Sequence, residues 1–380
     1  MQISDFKLER FFSKYEFSTP YLLCSSDPES FSIEELLSYE VDSITSFKKQ
    51  WLGYTETQGN PDLRKEIASL YKNCSPENIL VTSGAEEGIF LFMNVVLKPG
   101  DHVIAMFPAY QSLYEVAAAA GAEVTKWTLD EEKNWELDLD FLEKSIKKNT
   151  KAIIINCPHN PTGYLMSKTK LEQLVKIAKE KNILILSDEV YRYLEYDEKD
   201  RLPAICDIYE NGVSIGGMSK AFALPGLRIC WAVTHNKEIF KKMASFKDYT
   251  TICCSAPSEF LAGLAIRNKE KIFKRNLGII SDNLKTLKEF LSRYKDLFNW
   301  TEPKAGMIMF PKINLNTDAE EFCLDLINKK GVFLLPSTVY DFGNKNFRIG
   351  FGRKNMKIVL GKFEEYIAQI YKGKIHASIS

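Results

Sequence analysis

The stretch GGMSKAFALPGLRICW, residues 216–231, sets a single lysine among small and apolar residues, with its next charged neighbour, Arg228, eight positions on. Flanked by Met218, Ser219, Ala221, Phe222, Ala223 and Leu224, Lys220 is expected to be at least partly buried. Burial disfavours an ammonium, lowers its pKa and prepares an amine for Schiff-base chemistry. The stretch alone leaves a reactive amine and an ordinary lysine equally open.

Other residues have types that would serve such an amine. Gly84-Ala85-Glu86 follows the apolar run NILVTS, and a small-residue turn opening a helix offers free amides and the positive end of a helix dipole to a phosphate. Many α/β turns read the same way. Tyr110, in Pro108-Ala109-Tyr110 after HVIAMF, reads either as an aromatic ring over a crevice or as a core tyrosine. Pro158-His159-Asn160-Pro161-Thr162-Gly163 after KAIIINC is more specific, because a proline-fixed turn presents an asparagine amide at a strand end. Asp188-Glu189-Val190-Tyr191 closes NILILS with an acid and a tyrosine three positions later, although a lone Asp there is commonly a cap.

The elements that must hold these residues alternate regularly. Between about residues 60 and 235, short β-rich runs apolar on both faces are followed by amphipathic stretches such as EEGIFLFMNVVL and KLEQLVKIAKEK. That pattern predicts a mainly parallel sheet covered on both faces, with functional loops at the carboxyl ends of strands, where each motif above falls. After residue 235 long charged helices (KEKIFKRNLGIISDNLKTLKEFLSRY) and short strands around MIMFPKINL, VFLLPS and FRIGFGR predict a smaller α+β domain. The expected division is a large domain over residues 46–260 and a small one over 261–380 with the N-terminal 1–45, which lacks the strand–helix rhythm.

Composition excludes several function classes. The chain has 380 residues, 45% hydrophobic, with fifty basic residues against fifty acidic ones, so a sizeable core is expected and the total charge suggests neither nucleic acid nor an anionic membrane as partner. Eight scattered cysteines without a CxxC pair indicate reduced structural thiols, and no metal site is expected. The N-terminus MQISDFKLERFF carries charges where a signal peptide needs an apolar core, and no apolar run approaches a membrane span, which implies a cytoplasmic protein. The triplets Asn73-Cys74-Ser75 and Asn299-Trp300-Thr301 are then not glycosylated. A P-loop is excluded, since no GxxxxGK[ST] occurs.

Taken in order, Tyr54 with Gly59 and Leu63-Arg64, Gly84-Ala85, Pro108-x-Tyr110, Asn160-Pro-x-Gly163, Asp188-x-x-Tyr191, Ser219-Lys220 through Arg228, and Phe347-Arg348-Ile349-Gly350 resemble the class I/II aminotransferase family of fold type I pyridoxal-phosphate enzymes. The resemblance implies a seven-stranded sheet in the large domain and pyridoxal 5'-phosphate as cofactor. It implies an internal aldimine on Lys220, which then carries the substrate α-proton. Ser219, Arg228 and the amides near Gly84, Ala85 and Glu86 match the family's phosphate site, with Gly217 where some relatives have a serine. Asp188 matches the partner of the pyridine nitrogen, Asn160 and Tyr191 the partners of the ring oxygen, Tyr110 the stacking ring, and Arg348 the clamp on the α-carboxylate. Tyr54 matches a tyrosine that crosses a homodimer interface to the neighbour's phosphate. Glu86 departs from the uncharged residues common there and is expected to point away.

The implied reaction exchanges an amino group between an α-amino acid and a 2-keto acid. HNPTG, LPGLR, Lys247-Asp248-Tyr249 and Pro303-Lys304-Ala305-Gly306 also resemble the capreomycidine-synthase branch, which implies instead a lyase, decarboxylase or cyclase acting on an arginine-like amino acid. A non-catalytic regulatory module would leave the full set of cofactor residues superfluous. In YLLCSSDPES, Asp27 is expected to cap a helix beginning near Pro28 rather than to meet substrate, although an acid near the substrate would suit a basic side chain.

Overall fold

The computed structural model describes residues 2–377. Its central sheet comprises β1 (Ile79–Thr82), β2 (His102–Phe107), β3 (Glu123–Thr128), β4 (Thr150–Asn156), β5 (Leu184–Asp188), β6 (Gly212–Gly217) and β7 (Cys230–Thr234). The strand order is β1-β7-β6-β5-β4-β2-β3. Strands β2 to β6 pair in parallel, while β7 runs antiparallel to both β1 and β6. Strands β1, β2, β6 and β7 are buried at every position because both faces of the sheet are covered, which is why they are mainly apolar, with His102, Ser214 and the terminal threonines Thr82 and Thr234 as the buried polar exceptions.

The covering helices follow from local signals. The chain forms α1 (Lys7–Tyr15), α2 (Ala85–Val96), α3 (Ser112–Ala119) and α4 (Lys168–Glu180); in α4, Ser167 caps the start by accepting from the Lys170 N–H, and Leu171, Leu174, Ile177 and Ala178 form the buried stripe. The 25-residue α5 (Lys269–Arg293) buries Ile272, Phe273, Ile280, Leu284, Leu287 and Leu291 at helical spacing. Beyond it, β8 (Ile308–Met309), β9 (Leu335–Pro336) and β10 (Phe347–Gly350) form an antiparallel sheet with β10 in the middle. Among the described residues no helix is long and apolar enough to cross a membrane.

The N-terminal segment reaches both the small sheet and the site. Tyr21–Leu22 pairs in parallel with Val332–Phe333, and Phe11 and Phe12 of α1 pack on Phe333 with ring centroids 5.7 and 5.4 Å apart. The expected helix at Pro28 is absent. Helix formation waits until Ile33, where Ser32 and Glu35 make a capping box. The preceding stretch is committed to β10: Gly350 N–H donates to Leu23 O at 2.8 Å and Glu29 N–H to Gly352 O at 2.8 Å. Asp27 is therefore not a cap but pairs with Arg353, Nη2 to Oδ2 2.8 Å.

This contact leaves no space for a side chain at position 350, because a Cβ there would lie 2.0 Å from the carbonyl oxygen of Ser25. Gly350→Ala is expected to destabilise the protein by about 1–3 kcal/mol through overpacking. Denaturant unfolding checks it, and an unchanged midpoint would show that the segment is not pinned to β10.

Candidate active site

A cavity of about 600 Å³ opens at the carboxyl ends of the parallel strands. Each strand end contributes what it was expected to carry: Ala85 and Glu86 after β1, Tyr110 after β2, Asn160 after β4, Asp188 and Tyr191 from β5 onward, Ser219 and Lys220 after β6. Arg228 and Arg348 complete the wall. Tyr54 does not line it, and is 87% exposed.

Lys220 is half-buried, with Nζ 3.0 Å from Ser26 Oγ and 5.9 Å from the centre of the Tyr191 ring. Burial lowers its pKa, the Arg348 charge adds to that, and Asp27 and Asp188 oppose it. Asp188 is pushed up to about 7 by burial, against the opposing effects of the Val190 N–H on its Oδ1 and of Lys220. Two charged groups are thus held where neither charge is well solvated, a condition that favours proton exchange.

The Tyr191 hydroxyl is buried with no hydrogen-bond partner in the protein. Arg348 is 1% exposed; its Nε donates to Cys24 O (3.0 Å) and its Nη1 to Tyr340 Oη (2.7 Å) and Asn160 Oδ1 (3.1 Å). None of these bonds uses Nη2, and among the described residues no carboxylate lies within ion-pair distance of the guanidinium.

The turn before α2 forms a cradle. Gly84 has φ +93°, so glycine is required by conformation, and a Cβ there would come 2.6 Å from Arg228 Nη2 and push the guanidinium aside. Arg228 itself adopts φ +53°, and Nη1 donates to Pro225 O at 3.1 Å. Amides at the start of α2, the Ser219 hydroxyl and this guanidinium make a donor set suited to a phosphate. Gly217 has a local cause: a Cβ at that position would lie 2.2 Å from Cys230 Sγ on the adjacent strand.

Glu86 corrects the expectation that it points away. It lines the cavity, and its Oε1 accepts from Ser112 Oγ of α3 at 2.9 Å, which draws the side chain inward. Burial pushes its carboxyl up to about 7, so it holds a proton more readily than an ordinary carboxylate and repels an anion less.

Several cavity residues carried no motif. Glu9 and Phe12 of α1, with Glu16 at its end, lie on one helical face toward the cavity, and the Tyr110 hydroxyl donates to Glu9 Oε1 at 2.5 Å while its ring packs on Phe6. Glu16 is raised by burial and then by Glu9 and Asp27. The spacing of Glu9, Phe12 and Glu16 was the available signal. Ser26 and Tyr340 show their role only through contacts with Lys220 and Arg348.

The chain matches the model for Aminotransferase class I and II over residues 20–363 and belongs to that family. It is a pyridoxal-phosphate-dependent aminotransferase. It is 32% identical over 339 residues to an aspartate aminotransferase of Sulfurisphaera tokodaii, covering 85% of this chain and 84% of the relative. A capreomycidine synthase of Streptomyces vinaceus is 27% identical, with 77% and 75% covered. The crystal structure of a PLP-dependent aminotransferase from Streptococcus suis superposes with a TM-score of 0.92 at 33% identity, covering 97% of this chain and 99% of that one. The cavity fits that cofactor: it has a cradle that a Cβ would fill, an unpartnered buried phenol and a lysine whose ammonium form burial disfavours.

The raised carboxyls make a prediction for the cofactor-free protein. Glu86 folds with a pKa of about 7 against an ordinary 4.5, so between these values the folded chain keeps a proton that the unfolded chain releases. Stability should therefore fall as pH rises across that window, with Asp188 acting in the same sense. Glu86→Gln should flatten the fall by up to about 1.4 kcal/mol per pH unit. Urea unfolding at several pH values checks this; an unaltered slope would mean that Glu86 is not buried as described.

Proposed function

We propose that the amino donor is an α-amino acid with a cationic side chain, and that Lys220 both holds the cofactor covalently and moves the substrate α-proton. The observation that carries the donor class is the set of carboxyl groups left over once the expected cofactor partners are assigned. Asp188 is matched to the ring nitrogen, whereas Glu9 and Glu16 face the same cavity without such a role and without a cationic partner, and Asp27 beside them is paired with Arg353. Arg353, the remaining guanidinium on the wall, is already paired with Asp27.

When bound, pyridoxal phosphate supplies an electron sink for the pair left on the α-carbon. The chain's own residues do the rest in this reading. Ser219, Arg228 and the amides after Gly84 bind the phosphate. With the cofactor bound, Asp188 would hold a proton at the ring nitrogen, Tyr191 and Asn160 would donate to the ring oxygen, and Tyr110 would cover the ring. Arg348 binds the α-carboxylate through Nη2, which makes no bond within the protein, and this orients the α-carbon toward Nζ of Lys220.

Tyr54 acts across a homodimer interface in this proposal. Its 87% exposure, beside Trp51 and Leu52 at 80% and 79%, suits residues that a second copy covers. The division into residues 46–260 and 1–45 with 261–380 is supported by the containment of the central sheet within 79–234 and of the small sheet beyond 307. A cytoplasmic setting suits eight cysteines that are all free thiols.

A second reading, cyclisation or elimination on an arginine-like substrate, is favoured by the same acidic wall together with the likeness to capreomycidine synthase. One experiment separates them. Cofactor-loaded enzyme is mixed with lysine, ornithine, arginine and aspartate in turn, and pyridoxamine phosphate, keto acid and ammonia are measured. Pyridoxamine phosphate with the matching keto acid, at a kcat/KM about tenfold or more above that for aspartate, is expected from a basic donor. A preference for aspartate would overturn the donor class, and substrate loss without pyridoxamine phosphate would establish the second reading. Lys220→Ala should lower turnover by about 10²–10⁴-fold or more and abolish the permanent attachment of the cofactor that borohydride reduction of the imine produces; attachment at another residue would remove Lys220 from this role.

A further inference from the structure

Away from the active-site cavity, three segments distant in sequence bring together a second set of reactive side chains. Cys74 lies in the loop before β1, Cys206 and Asp207 in the short helix Ile205–Ile208, and His235 directly follows β7. Cys74 Sγ is 3.7 Å from Cys206 Sγ, 3.7 Å from His235 Nε2 and 3.8 Å from Asp207 Oδ1. The ligand atoms of Cys74, Cys206 and Asp207 all lie within 4.8 Å of one another.

A zinc ion about 2.3 Å from thiolate sulfur and about 2.0–2.2 Å from imidazole nitrogen or carboxylate oxygen sets its tetrahedral ligands about 3.4–3.8 Å apart. The three separations from Cys74 match such edges, while His235 stands outside the trio whose ligand atoms are all within 4.8 Å of one another, so its ring has to swing toward Cys206 and Asp207 to close the tetrahedron. We propose that Cys74, Cys206, His235 and Asp207 form a zinc site distinct from the catalytic cavity. Two sulfurs with one imidazole suit zinc and disfavour magnesium or calcium, which prefer oxygen ligands.

The surroundings orient these groups. Asp207 Oδ1 accepts from the backbone N–H of Lys72 and of Asn73, both at 2.9 Å, which fixes the carboxylate and leaves Oδ2 as its ligand atom, and Asn73 Nδ2 donates to Asp207 O at 3.1 Å. The Cys206 N–H donates to Ser214 Oγ at 3.1 Å. Metal sites use outer contacts of this kind to fix ligand direction. Cys206 is buried while Cys74, Asp207 and His235 are half-buried, and Asn73 and Asp207 border an open surface depression that gives an ion access. The ion would staple the loop before β1 to the end of β7 and to the helix between β5 and β6. Ser214 also donates to Glu189, the residue after Asp188, so the staple abuts the strand that carries a catalytic acid.

Two thiols in simple contact would also lie 3.7 Å apart, so the test must read coordination. Untagged, cofactor-loaded enzyme is given zinc, passed through gel filtration and assayed for bound metal; cobalt then replaces zinc and the absorption spectrum is recorded. One zinc per chain and a cobalt spectrum with sulfur charge-transfer bands and intense tetrahedral bands are expected. Cys74→Ser and His235→Gln should each lose most of the bound metal, while Cys253→Ser, outside the cluster, should retain it. His235→Gln keeps the test open if Cys74→Ser fails to fold. No retained zinc, equal retention in His235→Gln, or a Cys74–Cys206 disulfide found by mass spectrometry in place of metal would overturn the proposal.

Discussion

The guanidinium of Arg348 is the constraint on which the site depends. It is fully enclosed, yet its partners are two carbonyl-type oxygens and a phenol, none of them an anion. A buried cation left without a counter-charge is costly, and hydrogen bonds to neutral groups offset only part of the lost hydration. The position persists because its acceptors come from three places at once: Cys24 in the N-terminal segment, Asn160 after β4, and Tyr340 ahead of β10. The same bonds that hold the charge therefore tie the N-terminal segment and the small sheet to the mouth of the large one. A carboxylate entering the cavity would supply the missing charge, so the strain of burial becomes affinity for a carboxylate ligand.

The remaining charges are arranged around that one. Lys220 lies near enough to Arg348 for the two positive charges to disfavour each other, and the lysine, the weaker base, yields. Asp27 and Asp188 moderate the effect from the other side. This balance explains why Ser26, a neutral hydroxyl, is the direct neighbour of Nζ: a carboxylate in contact would hold the amine protonated. Asp188 and Glu86 show the complementary behaviour, since burial raises both to about 7 and leaves each able to hold a proton near neutral pH.

What the sequence disclosed was local. Short, mainly apolar strands, turns with glycine or proline at their ends, and a polar residue after each strand could be read because each signal spans a few residues. Fold class, strand-end placement of Asn160, Asp188 and Lys220, and the cradle at Gly84 followed from these. Contacts set by long chain separations could not be read this way. Glu9 meets Tyr110 across 101 positions, and Tyr340 meets Asn160 across 180. Glu86 was misread because its direction is decided by Ser112 on another helix, and Asp27 because a backbone pairing along β10 overrode a good helix-start signal. The Cys74, Cys206 and His235 group is invisible to spacing rules for the same reason: no two of the three share a turn.

The acidic wall bears on specificity through its geometry as well as its charge. A dicarboxylic donor would need a second guanidinium for its distal carboxylate, and Arg353 is the remaining candidate on the cavity wall. It is engaged by Asp27 at 2.8 Å, and that contact sits within the segment fastened to β10 by Gly350 and Gly352. Freeing Arg353 would leave Asp27 uncompensated beside Glu16, whose carboxyl is already raised in part by its acidic neighbours. Accepting a distal carboxylate thus adds a negative charge to a group that already repels itself, whereas a distal ammonium or guanidinium relieves it. Under the proposed donor class the N-terminal helix would belong to the specificity apparatus: its Glu9–Phe12–Glu16 face would supply the charge, and its packing on Phe333 would set how far that charge stands from Arg348.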